Sequence, residues 1–130
     1  MSVSINGKRF KAEYMTTPEE ISTGMMGRDS LNGCMVFKMD KKGYHHFWMK
    51  GCKIPLDIVF ILNDRISKIH HNCEPCGDGD CTKTYTGPGD HIIEFPGGSA
   101  GNFKEGDSVM MYLGSPINPV QSPPRSETNV

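Results

Sequence analysis

The sequence predicts a mainly β fold: a single-domain two-sheet β-sandwich or partly closed, jelly-roll-like barrel with one short helix near the N-terminus. Three observations carry that expectation. Short apolar or alternating runs recur along the chain, each bounded by turn residues. Fifteen Gly and nine Pro among 130 residues supply the many turns that such runs need. Only one segment carries the start signals of a helix. A chain of this length is one domain's worth, because single cores usually occupy about 100 to 200 residues.

Taken in order, residues 2–5 and 9–14 alternate apolar and polar side chains around Asn6-Gly7, a pair that accepts the positive φ of a tight hairpin turn. Thr17-Pro18-Glu19-Glu20 then reads as a helix start: Thr17 caps, Pro18 suits the first helical position, and Glu20 closes a capping box. Ile21 and Met25 give that helix an apolar side, and Gly24 or Gly27 can end it. Strands are expected over residues 34–39, 44–49, 56–62 and 65–71, with a Lys-Lys-Gly turn and an Asn63-Asp64 turn among them. Residues 73–90 read as loop. Residues 91–95 and 108–113 are expected as closing strands, with one helical turn permitted by the glycines between them. The β domain therefore covers residues 1–114. Residues 115–130 hold four of the nine prolines and few apolar side chains, and are expected to form a disordered tail.

Fourteen Lys and Arg balance fifteen Asp and Glu, so the formal charge is −1 and no basic field exists to hold nucleic acid or an anionic membrane. The longest apolar stretch, around residues 58–62, is far short of the roughly twenty residues a membrane helix needs. The N-terminus lacks the basic region and apolar core of a secretory signal, so the chain as given reads as cytoplasmic.

Phe47-Trp48-Met49-Lys50, followed by Ile54-Pro55-Leu56-Asp57-Ile58-Val59-Phe60, resembles the motif pair of the domain of unknown function 192 family, also called uncharacterised protein family 0127. The resemblance extends in family order through Thr17-Pro18-Glu19-Glu20 and Gly24-Met25-Met26-Gly27-Arg28 before it. After it come Pro75-Cys76, Cys81, Tyr85, Glu94-Phe95-Pro96-Gly97-Gly98 and Gly106-Asp107. It implies a compact, mostly β sandwich or jelly roll and brings no agreed substrate, cofactor or catalytic residue. Family members occur in bacteria, archaea and phages, and many bacterial ones are exported. Cys52 stands where a small polar residue is more usual, and Cys73 adds a third cysteine to the loop pair.

Cys73, Cys76 and Cys81, with His70 and His71 just upstream, carry only part of a zinc-ligand pattern. Of that set His71 and the three thiols are the weak metal candidates. Cys76 and Cys81 match the family-like pair, and the resemblance makes a disulfide between them the stronger expectation in an oxidising compartment. Cys34 and Cys52 fall on strand-like segments and are expected as core thiols. The nine methionines could hold copper(I). Gap-filling between a helix and a sheet explains them better, so no cofactor is expected and zinc or copper is a minor alternative.

Alternation puts His46, Trp48 and Lys50 on one side of a strand, where an aromatic ring would sit beside polar groups. Asp57 interrupts an apolar run, so a buried carboxylate is expected, paired with Arg28 or Lys50, or else anchoring a ligand. The expected site is a cleft of Arg28, Trp48, Lys50, Asp57 and Tyr85. No complete Ser-His-Asp order, phosphate loop or paired-acid spacing accompanies it. The expectation is a non-enzymatic binding or accessory module for a small molecule or protein. The alternatives are an enzyme using Asp57 or a histidine at the cleft, and a metal-holding protein using the cysteine loop.

Overall fold

The computed structural model describes residues 1–114, and the expected tail over residues 115–130 lies outside the described residues. Seven strands and one helix follow one another as β1 (Ser2–Ile5), β2 (Lys8–Met15), α1 (Pro18–Thr23), β3 (Cys34–Trp48), β4 (Leu56–Leu62), β5 (Arg65–Cys73), β6 (Thr84–Pro96) and β7 (Val109–Tyr112). They form one sheet in the order β5-β4-β6-β3-β2-β1-β7. The sheet curls into a half-barrel, so of the two expected forms the molecule takes the partly closed one. Its edges approach each other: Ile66 donates to the Asp107 carbonyl at 2.9 Å and Val109 to the Asp64 carbonyl at 2.9 Å.

The local signals of the sequence act as chemistry requires. Asn6 and Gly7 both take positive φ at the β1–β2 turn. Strand β2 pairs antiparallel with β1 through Lys11, and from Ala12 it pairs in parallel with β3. A parallel neighbour needs a long crossover, and that crossover contains α1. Thr17 caps the helix, Glu20 completes the box, and Gly24 closes it with φ 45°. A side chain at Gly24 would lie 3.3 Å from the Phe37 ring, so the glycine also lets the helix end sit close against β3.

Strand alternation separates two apolar faces. Val3, Ile5, Val36, Val59, Ile61, Ile93 and Phe95 fill the inside of the curl. Met35, Phe37, Ile58, Phe60 and Ile92 point to the outside, where Met25, Leu31, Met49 and Cys52 from the helix end and loops cover them. Strand β4 is therefore buried on both faces, which is why residues 56–62 read as a nearly unbroken apolar run. Each large side chain buried this way contributes about 1.5–3 kcal/mol relative to exposure.

Two expectations are corrected. The separate strands over residues 34–39 and 44–49 are one strand, β3, whose pairing to β6 is interrupted by a bulge between Lys38 and Gly43 and then resumes. Part of the expected loop over residues 73–90 is strand: β6 begins at Thr84 and runs through Gly87-Pro88-Gly89. Those glycines mark close approach rather than a turn. A Cβ on Gly87 would lie 2.8 Å from the Phe60 ring, and one on Gly89 would lie 3.1 Å from the Ile61 carbonyl oxygen. Among the described residues no helix is long and apolar enough to cross a membrane.

Candidate functional site

The bend in β3 and the end of α1 stand apart from each other and leave a cavity of about 230 Å³ between them. The helix side contributes Ile21 to Met26, and β3 contributes Phe37, Met39, His46, Phe47 and Trp48. Lys50 and Cys52 enter from the loop after β3, and Glu94 enters from β6. Trp48 is half exposed at the rim, with the Lys50 Nζ 5.2 Å from its ring centroid. That separation suits a cation–π contact.

Glu94 is the unusual member. It lies opposite Met35 in the β3–β6 ladder and therefore on the outward, helix-covered face of the sheet. Its residue surface is 4% exposed. Burial pushes its carboxyl up to about 8, and burial is the sole cause of the shift, with no hydrogen bond or neighbouring cation to offset it. Apolar surroundings, with a smaller contribution from the same acid, push the Cys52 thiol up to about 11. Among the described residues Ser2 Oγ is the fully buried side-chain atom without a partner, whereas the Glu94 carboxyl opens onto the cavity.

The residues expected to share one cleft are divided among four places. Trp48 and Lys50 line the cavity described above. Arg28 stands nearby but is held by Glu13, donating to both carboxylate oxygens at 2.7 and 2.6 Å. This pair draws the Glu13 carboxyl below its usual range and raises the guanidinium. Tyr85 lines a separate cleft with Met49, Pro75, Cys76 and Cys81. Its ring packs edge-on against His70, centroids 5.4 Å apart.

Asp57 is fully buried and meets neither expected cation. Its Oδ1 accepts the Asn72 N–H at 2.8 Å, and its Oδ2 accepts the N–H groups of Gly98 and Ala100 at 3.0 and 2.8 Å. Three backbone donors replace the expected ion pair, because the turn after β6 brings its own orphan amides to the carboxylate.

The cysteines separate as well. Cys76 and Cys81 are joined as a disulfide with Cα atoms 5.8 Å apart. Cys73, expected in the surface loop, is instead buried at the end of β5, and its thiol is pushed up to about 12. His71 is exposed, and among the described residues no three His, Cys, Asp or Glu side chains converge as metal ligands. Cys34 and Cys52 are buried core thiols. Met25, Met35 and Met49 are buried in the packing between sheet, helix and loops.

Glu94 could have been found from the sequence. It interrupts the apolar run of residues 92–95 as Asp57 interrupts that of residues 56–62, and alternation puts it on the face opposite Ile93 and Phe95. What alternation cannot give is the bend in β3 that leaves space in front of the carboxyl.

Three comparisons bear on this arrangement. The model of the family DUF192, described as Uncharacterized ACR, matches residues 1–111. Among solved structures, a protein of unknown function from Novosphingobium aromaticivorans DSM 12444 is similar, with TM-score 0.76 and 30% identity over 85% of this chain and 84% of its own. A protein from Sinorhizobium meliloti 1021, described as a "putative transcription regulator", has TM-score 0.74 and 23% identity over 84% of this chain and 91% of its own. The second likeness concerns the fold alone. No curated protein matches the chain.

Proposed function

The chain belongs to the DUF192 family, and from that premise we propose that it is a non-enzymatic binding module whose ligand enters the cavity between α1 and β3. The observation that carries this reading is Glu94, a residue only 4% exposed whose carboxyl makes no hydrogen bond to the described residues and opens onto about 230 Å³ of space. A ligand in the cavity could hydrogen-bond or pair with this carboxyl in largely desolvated surroundings, where such contacts are stronger than in bulk water. The volume falls below the roughly 300–1,000 Å³ of drug-sized sites, which favours a small occupant. A net charge of −1 supports a small molecule over a polyanion as partner.

Two features of the residues around the site support the non-enzymatic reading. Cys52 has its thiol held high, against the depressed value that a nucleophile needs. Asp57, one of the two groups on which the enzymatic alternative would rest, has both oxygens occupied by backbone N–H groups away from the cavity, while the other, a histidine, is represented there by His46.

A panel of small metabolites screened by thermal shift, with hits followed by crystallography, tests the proposal. A hit should be lost in Ser22→Trp, which crowds the cavity from the helix side, while the unliganded Tm stays near that of the parent. Absence of any hit, ligand density outside the cavity, or chemical conversion of a bound compound would overturn it.

A further inference from the structure

We infer that the group recognised at the cavity floor is an ammonium: the ligand is a small amine whose apolar stem lies among the aromatic and thioether walls and whose cationic head pairs with Glu94. This rests on the binding reading above and names its ligand class. The floor supplies one acid and no fixed counter-charge. Among the described residues the one Lys or Arg lining the cavity is Lys50, and its ammonium lies over the Trp48 ring at the rim. The walls include the Phe37, Phe47 and Trp48 rings and the Met25, Met26 and Met39 side chains, with Ser22, Thr23 and His46 as the uncharged polar members. Aromatic faces attract a cation directly, and a carboxylate largely shielded from water, as Glu94 is at 4% exposure, pairs with one more strongly than it would in bulk solvent.

The competing ligand chemistry is a carboxylate or alcohol that accepts a hydrogen bond from the protonated acid. The two predict opposite pH behaviour. The titratable groups that face Glu94 are Cys52 and Cys73, whose thiols stay neutral below pH 10, with His46 and Lys50 toward the mouth. An amine binds to the ionised form of Glu94, so its affinity rises as pH passes upward toward 8. An acceptor ligand binds to the protonated form and weakens over the same interval.

Calorimetric titration of the full chain with phenethylamine, 3-phenylpropionate and 2-phenylethanol at pH 6.5 and 8.5 separates them. The inference expects the amine alone to bind, about tenfold or more tightly at the higher pH. It expects Glu94→Gln to remove that binding, and Trp48→Ala, at a half-exposed position that the fold does not depend on, to weaken it several-fold. Binding of the carboxylate or the alcohol as tight as that of the amine, or amine binding unchanged by pH and by Glu94→Gln, overturns the amine assignment and leaves the cavity reading standing. If none of the three probes binds, the amine assignment falls. If the metabolite panel is also silent, the cavity reading falls with it.

Discussion

The Asp57 carboxylate and the Ala100 backbone N–H, 43 positions apart in sequence, meet at 2.8 Å inside the barrel end. With Gly98 and Asn72 they tie the start of β4, the end of β5 and the turn after β6 through one side chain. Asp57→Asn keeps the shape but turns an NH2 group toward backbone donors, leaving at least one of them without an acceptor. A loss of about 2–3 kcal/mol in urea unfolding is expected. Amine or metabolite binding at the cavity should persist in the folded fraction, because Asp57 does not line it. A neutral effect on stability would show that the three-donor arrangement is not what holds the turn.

Gly87 makes a sharper test of packing. A Cβ there would sit 2.8 Å from the Phe60 ring, closer than real Cβ atoms approach, and 3.0 Å from the Lys68 Cβ, which is tight. Gly87→Ala should cost about 1–3 kcal/mol by forcing the Phe60 ring out of its place among Phe47 and His70. Gly43, in the same ladder opposite Gly89, has nothing within 4 Å of its Cβ position. Gly43→Ala should therefore change stability by less than about 0.5 kcal/mol.

The thiols should report the fold in a colorimetric assay. Cys34, Cys52 and Cys73 are buried, and burial pushes their thiols up to about 12, 11 and 12. None should react with a thiol reagent in the native oxidised protein, because the thiolate is the nucleophile and little of it exists. Mild reductant should expose only the pair Cys76 and Cys81. Closing so short a loop stabilises by about 2 kcal/mol, and Cys76→Ser with Cys81→Ser should lose that much. Fast labelling of a third thiol in the folded state would contradict the burial of these side chains.

Most of the fold was legible because its signals are local. The Asn6-Gly7 turn, the Thr17 cap, the Gly24 stop and the double-faced burial of β4 all follow from neighbours in the chain. The misreading of residues 84–89 has a non-local cause. Gly87-Pro88-Gly89 carries turn chemistry, but the glycines are required by the Phe60 ring and the Ile61 carbonyl, which no local pattern reveals. The site was less legible for the same reason. Trp48 and Lys50 do share a cavity, whereas Arg28 is taken by Glu13, Asp57 by three amides, and Tyr85 by a different cleft. Each of those partners lies at a sequence distance where periodicity says nothing.

Glu94 sets the pH dependence that ties stability to the proposed site. Its folded-state carboxyl titrates at about 8, above the ordinary value of 4.5 that it recovers on unfolding, so the folded protein binds the extra proton between those limits. The contribution is fully present below pH 4.5 and is lost as pH rises toward 8, the unfolded chain ionising first. Glu13, Glu20, Asp90 and Asp107 are displaced in the opposite direction, and their contributions disappear as pH falls through the acid range, outside this window. Subtracting the unfolding free energies of Glu94→Gln from those of the parent cancels every other titration. The difference should favour the parent, or be small, at pH 5. By pH 8.5 it should have moved toward the variant by a few kcal/mol, because each pH step between the unfolded and folded values carries about 1.4 kcal/mol. A pH-independent difference would mean that Glu94 titrates as an ordinary solvated acid. The cavity would then lack the unpartnered carboxyl on which the binding proposal is built.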